Sequence, residues 1–216
     1  MKIFSFYGDV PELPRGDELR LTILWREKWK SAGWEPVILS EWQARQHPHF
    51  EEYDAAISKL PSCNPPIYEK FCFYRWIALA QVGGGWLADY DLFATPNGNP
   101  LWHRLTGAEM NKVIIMQQPC CPCLVWCSAD NAIRLCREFA KGIGNNPQDA
   151  RAHFSDQYSL ERLVLDGADW IEVRNVVKQY PDEGCKDAPL IHYPNAALGP
   201  RNLTPKWRHI PKLLPL

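Results

Sequence analysis

The first 46 residues switch twice between the periodicity of a strand and that of a helix. Lys2 to Tyr7 alternates apolar and polar side chains and stops at Gly8-Asp9, as a strand running into a loop should. From Asp17 to Ala32, Leu19, Ile23, Leu24 and Trp25 recur at helical spacing, and Gly33 closes the segment. Trp34 to Leu39 reads as a second strand and Glu41 to Gln46 as a short helix. A βαβα opening feeds parallel strands through helical crossovers, so the sequence predicts an α/β fold with a mainly parallel sheet flanked by helices. With 216 residues and 46% hydrophobic content the chain can bury one sizeable core, and a single domain over 1–216 is expected.

Downstream, His47 to Pro66 reads as helix plus loop anchored by Phe50, Tyr53, Ile57 and Leu60. Pro65-Pro66 then enters a helix from Tyr68 to Val82 whose apolar face is Phe71, Tyr74, Ile77, Ala78 and Val82. A turn at Gly83 to Gly85 leads through Trp86-Leu87-Ala88 into Asp89-Tyr90-Asp91. Lys112 to Gln117 and Cys123 to Cys127 read as strands. Ser128 caps a helix from Ala129 to about Lys141 that Gly142 closes, Asp156 to Leu165 is a further helix, and Ile171 to Val177 a short strand. From Asp187 onward the Pro-rich sequence predicts a tail wrapping the surface.

Asp89 and Asp91 carry the chemistry. Two positions apart in an extended segment they face the same way and can share a hard cation with phosphate oxygens of a ligand, which favours Mg²⁺ or Mn²⁺ over zinc. Arg75 has two readings: a fork reaching a diphosphate, or a surface charge paired with Glu69. Lys70 is a weaker donor-side candidate. Ligands of open α/β sheets settle beyond the carboxyl ends of strands, which places Phe6, Tyr7 and Gly8 where an aromatic could stack on a base or simply be buried. Asp156 is most simply a helix cap.

Eight cysteines include the cluster Cys120, Cys121, Cys123 and Cys127. Zinc ribbons pair two knuckles, whereas Cys136 and Cys185 stand alone, so the cluster reads as reduced core residues.

The order Lys70, Arg75, apolar helix end, Gly-Gly and Asp-x-Asp, from Ile67 to Phe93, resembles the glycosyltransferases that carry a DXD motif in a GT-A fold, including small viral and bacterial members. Two departures stand out: an acid often found between the Lys and the Arg is replaced around Cys72, and the Gly run has one extra member. The resemblance implies a GT-A-like, Rossmann-like domain in which residues 1–95 bind a nucleotide-sugar, with a UDP-sugar the leading donor. Residues 96–216 then form the acceptor side and tail, and a glycan or other hydroxyl compound is the acceptor. It also implies Asp91 as principal metal ligand, with Asp89 and a late His192 completing a Mn²⁺ or Mg²⁺ site. Phe6, Tyr7, Gly8, Lys70, Arg75, Asp89 and Tyr90 fall on the donor side. Asp156, with Asp89, falls on the catalytic side, where an acid from a late helix start takes a proton from the acceptor or holds the donor. Two other readings use the same residues differently: a nucleotidyltransferase, for which Pro11 to Asp17 is a poor phosphate loop, and a non-catalytic nucleotide- or carbohydrate-binding module.

Net charge is −1 with no long basic block, so no nucleic-acid partner is expected. The apolar run at the N-terminus is too short for a signal peptide and nothing approaches the ~20 apolar residues of a membrane span. A soluble cytoplasmic protein with free thiols is the expectation.

Overall fold

The structure is a computed structural model that describes residues 1–11, 17–61, 64–95, 103–145, 154–181, 188–194 and 210, the side chains of Asp17 and Asn145 apart. Its centre is a six-stranded sheet in the order β2-β1-β3-β6-β5-β7, made of β1 (Lys2–Phe6), β2 (Glu35–Leu39), β3 (Gly84–Ala88), β5 (Val113–Ile115), β6 (Leu124–Ser128) and β7 (Ile171–Val173). β1 is parallel to β2 and β3, and β5 to β7, while β6 runs antiparallel to both β3 and β5. The expected mainly parallel mixed sheet is therefore present, and β6 is the strand that makes it mixed. β4 (Leu92–Ala94), β9 (Leu190–His192) and β8 (Val177–Gln179) form a second sheet, in the order β4-β9-β8.

Successive side chains on the central strands enter different cores, as two-residue periodicity demands. Phe4, Leu87, Val113, Ile115 and Val125 face α3 (Phe50–Ile57), α4 (Pro66–Gln81), α5 (Ala129–Asn145) and α6 (Asp156–Leu165). Ile3, Trp86, Ile114 and Leu124 face α1 (Asp17–Ser31) and the small sheet.

Several expectations are corrected. The first helix forms, but its buried face is Leu21, Trp25 and Trp29, whereas Leu19 and Ile23 are about half exposed. Trp29 fixes that face by donating its indole N–H to the carbonyl of Leu92. α4 is buried nearly all round, from Phe71 through Phe73–Ala80, because it lies between the sheet, α5 and the short α2 (Glu41–Arg45). An apolar stripe is the wrong description of such a helix. α5 is capped by Ser128, whose Oγ accepts from the Asn131 N–H, and runs past Gly142 to Asn145. The strand expected over Ile171–Val177 is two strands in different sheets. The supposed surface tail contains β9, all of it buried. Cys123, Cys127 and Cys136 are buried as expected, and Cys185 lies outside the described residues.

Gly84 shows why the turn before β3 is glycine-rich. Its φ is +81°, and a Cβ there would sit 2.6 Å from the backbone of Cys127 and Ala129. Only a residue without a side chain enters the strand at this point.

Candidate active site

β1 and β3 are parallel neighbours, in register from Ile3↔Trp86 to Phe4↔Leu87, so the segments after them emerge side by side. They open onto a cleft of about 430 Å³ whose walls include Phe6, Tyr7, Gly8, Tyr90, Asp89 and Asp91. That volume lies within the ~300–1,000 Å³ of ordinary small-molecule sites. Tyr7 and Tyr90 meet edge to face with centroids 6.3 Å apart. Gly8 is required here: a Cβ would fall 2.2 Å from the Phe71 ring.

The two aspartates converge by a different route from the alternation expected of a strand. β3 ends at Ala88, and the Leu92 N–H bonds back to the Asp89 carbonyl at 3.1 Å, so Asp89-Tyr90-Asp91 is a tight turn. The Asp89 N–H donates to the Cys123 carbonyl, and the Asp91 carbonyl accepts from the Tyr193 N–H. The next residue, Leu92, pairs directly with His192 across β4 and β9. This ladder brings in His192 from a hundred residues downstream. Its Nε2 stands 3.4 Å from Asp91 Oδ1 and 3.9 Å from Asp89 Oδ2. Nδ1 lies 3.2 Å from the side-chain oxygen of Gln117, which turns Nε2 toward the acids when Nδ1–H donates.

Asp91 and His192 are buried, whereas the Asp89 side chain is one-third exposed. Desolvation, with Asp91 adding to it, lifts the Asp89 carboxyl to about 6 against the pull of Arg75 and His192. Burial pushes the His192 imidazole down, but Asp91 and Cys121 outweigh it and bring it up to about 10. The acids that attract a proton to His192 would equally attract a cation. One ligand atom from each of Asp89, Asp91 and His192 lies within 4.8 Å of the others, and an O, O, N set open to a cleft suits Mn²⁺ or Mg²⁺ with phosphate and water completing the shell.

Arg75 lines the cleft and is not the surface charge paired with Glu69. It is 9% exposed and joins two acids: Nη1 donates to Asp89 Oδ1 at 2.7 Å, while Nε and Nη2 both donate to Asp156 Oδ2. Trp76 Nε1 gives that same oxygen another hydrogen bond at 3.0 Å. Asp156 is consequently not the cap of α6. Ser155 is, accepting from the Tyr158 N–H, and Asp156 turns inward from the first helical position. Lys70 is not brought to the cleft at all. Its ammonium points along α4 to Asp54 at 2.9 Å and Ser58 at 2.8 Å, beside α3.

Sequence reasoning missed Gln117 and Cys121. Gln117 accepts from the Cys123 thiol at 2.8 Å as well as facing His192, and Cys121 lines the cleft. Neither stands in a motif, and only the approach of β9 to the loop between β5 and β6 gives them a shared neighbour. Glu69, weighed only as an Arg75 partner, instead accepts from Asn64 Nδ2 at 2.9 Å on the cleft wall.

A mixed α/β sheet with carboxylates at the ends of its parallel strands defines the class of protein, and comparison with known proteins refines it. The chain belongs to the family described as Domain of unknown function (DUF8765), whose model matches residues 2–114. Asp89 and Asp91 lie inside that match, and Asp156 and His192 beyond it. No curated protein matches the sequence. Among solved structures, the chain is similar to the crystal structure of a glycosyltransferase involved in the glycosylation of the major capsid of PBCV-1. Identity is 14% and the TM-score 0.53, over 88% of this chain and 92% of that one. At such identity the likeness establishes the fold. No helix among the described residues is long and apolar enough to cross a membrane.

Proposed function

We propose that this protein is a metal-dependent glycosyltransferase that moves a sugar from a nucleotide-sugar, a UDP-sugar as leading donor, to a hydroxyl group of a glycan or other acceptor. The observation that carries this reading is the convergence of Asp89, Asp91 and His192 at the carboxyl ends of β1 and β3, in a fold shared with a glycosyltransferase. Asp91, Asp89 and His192 would hold Mn²⁺ or Mg²⁺, which when bound supplies positive charge to the diphosphate as the glycosidic bond breaks.

The chain's own groups divide the remaining work. Tyr7 and Tyr90, on the cleft wall beyond β1 and β3, offer aromatic surface to a base, and Gly8 lets backbone approach it. Arg75 holds Asp89 in position from the side away from His192. Asp156 holds Arg75, since one of its oxygens already accepts N–H groups from both Arg75 and Trp76. We therefore assign Asp156 a positioning role through Arg75, in place of proton abstraction from the acceptor.

The test is incubation with a panel of nucleotide-sugars and Mn²⁺. Release of a nucleoside diphosphate that stops on adding chelator supports the proposal. Release of pyrophosphate would replace it with nucleotidyl transfer, and binding without turnover would replace it with a binding module.

A further inference from the structure

Beside the carboxylate pair lie two thiols that a carbohydrate-transfer reading does not use. The sulfurs of Cys121 and Cys123 and a ring nitrogen of His192 all lie within 4.8 Å of one another. Cys123 is fully buried and fixed by Gln117, whereas Cys121 is partly exposed on the cleft wall. The intervening Pro122 is buried, and the Met116 N–H to Leu124 carbonyl bond closes the loop, so both thiols are presented on a braced segment.

We propose that Cys121, Cys123 and His192 form a thiolate-imidazole site for a thiophilic divalent cation such as Zn²⁺, sharing His192 with the carboxylate site. Tetrahedral zinc with bonds of about 2.3 Å to sulfur and about 2.0 Å to nitrogen needs ligand atoms roughly 3.5–3.8 Å apart. The observed spread, within 4.8 Å, contracts to that by movements of about an ångström, for which the partly exposed Cys121 is less confined than buried Cys123. The donor set decides the ion: two sulfurs and an imidazole select zinc-like ions, whereas two carboxylates with the same imidazole select Mn²⁺ or Mg²⁺. Both groups draw on His192, so an ion at the thiols changes the imidazole that the carboxylate site uses. Cation binding at the thiols rests on their geometry, and only its effect on turnover depends on the proposed transferase activity.

The probe is Co²⁺ added to the full chain, reduced and stripped of metal. Thiolate-bound cobalt gives a near-ultraviolet charge-transfer band that carboxylate-bound cobalt lacks. The expected result is a band saturating at a single ion per chain and bleached by Zn²⁺. Cys121→Ser and His192→Ala should each weaken cobalt binding at least about tenfold, the lower edge of what even an outer-shell change costs a metal site. Cys72→Ser, a nearby cleft thiol outside the group, should keep the band. Circular dichroism confirms folding, and Cys121→Ser remains decisive should a change at buried Cys123 unfold the chain. Absence of the band, or a band unchanged in folded Cys121→Ser, overturns the proposal. Neither outcome bears on nucleoside diphosphate release, which tests the transferase reading separately.

Discussion

Asp91 is a buried carboxylate facing an imidazole, so its replacement should be isosteric if the cation site is to be probed without a cavity. Asp91→Asn is expected to lower Mn²⁺ affinity by at least about 100-fold, since losing a ligand should exceed the ~10–100-fold cost of losing an outer-shell partner. Titration calorimetry reads this, and unchanged affinity would remove Asp91 from the site. Gln117→Leu, which removes the group facing His192 Nδ1, should fall within that ~10–100-fold range. A different carboxylate reports on stability. Glu109 is held down to about 2, from an ordinary 4.5, by the N–H and hydroxyl of Thr106 and by Arg174. A depressed folded value means that its stabilisation is complete above the unfolded value and is lost as pH falls through about 2. Glu109→Gln should therefore flatten the fall in stability between pH 4.5 and 2 in urea titrations, and parallel curves for both proteins would refute the assignment.

Two short segments set the geometry around the cleft. Ser155 caps α6 and so places Asp156 at the first helical position, facing Arg75. Ser155→Ala should cost about 1 kcal/mol, measured by denaturation. Gly84→Ala should be more severe, about 1–3 kcal/mol, because it adds a positive-φ penalty to a backbone collision. These segments also show how far the sequence could be read. Strands and helices of the first half were legible because their periodicities differ, and Asp89 and Asp91 because they follow an apolar run. The inward face of α1 was not. Leu19 and Ile23 match helical spacing as well as Leu21, Trp25 and Trp29 do, and the indole bond to Leu92 that selects between them spans 63 positions. β9 was misread for a similar reason: three apolar residues among prolines carry no period, and only β4 and β8 make them a strand.

Across the fold, Arg75 is the side chain through which distant parts of the chain meet, since it joins α4 to the turn after β3 and to α6. Arg75→Met would leave Asp156 buried without its cation, which costs about 3–5 kcal/mol. Equilibrium unfolding should show that loss, and a variant as stable as the parent would mean that the pair contributes nothing net. The distribution of the site along the chain explains why its histidine and its late acid were accessible only through resemblance. Asp156 and His192 stand 67 and 103 positions beyond Asp89, in segments with no motif of their own.

The pairing of Leu92 with His192 gives the proposed grip a mechanical character. Acid and imidazole are mounted on adjacent rungs of one ladder, with the Tyr193 amide tied to Asp91 and the Tyr180 amide to the His192 carbonyl. Such a jaw has no hinge. It is set at folding and stays set, so deuterium should enter the Tyr180 and Tyr193 amides slowly whether or not an ion is added.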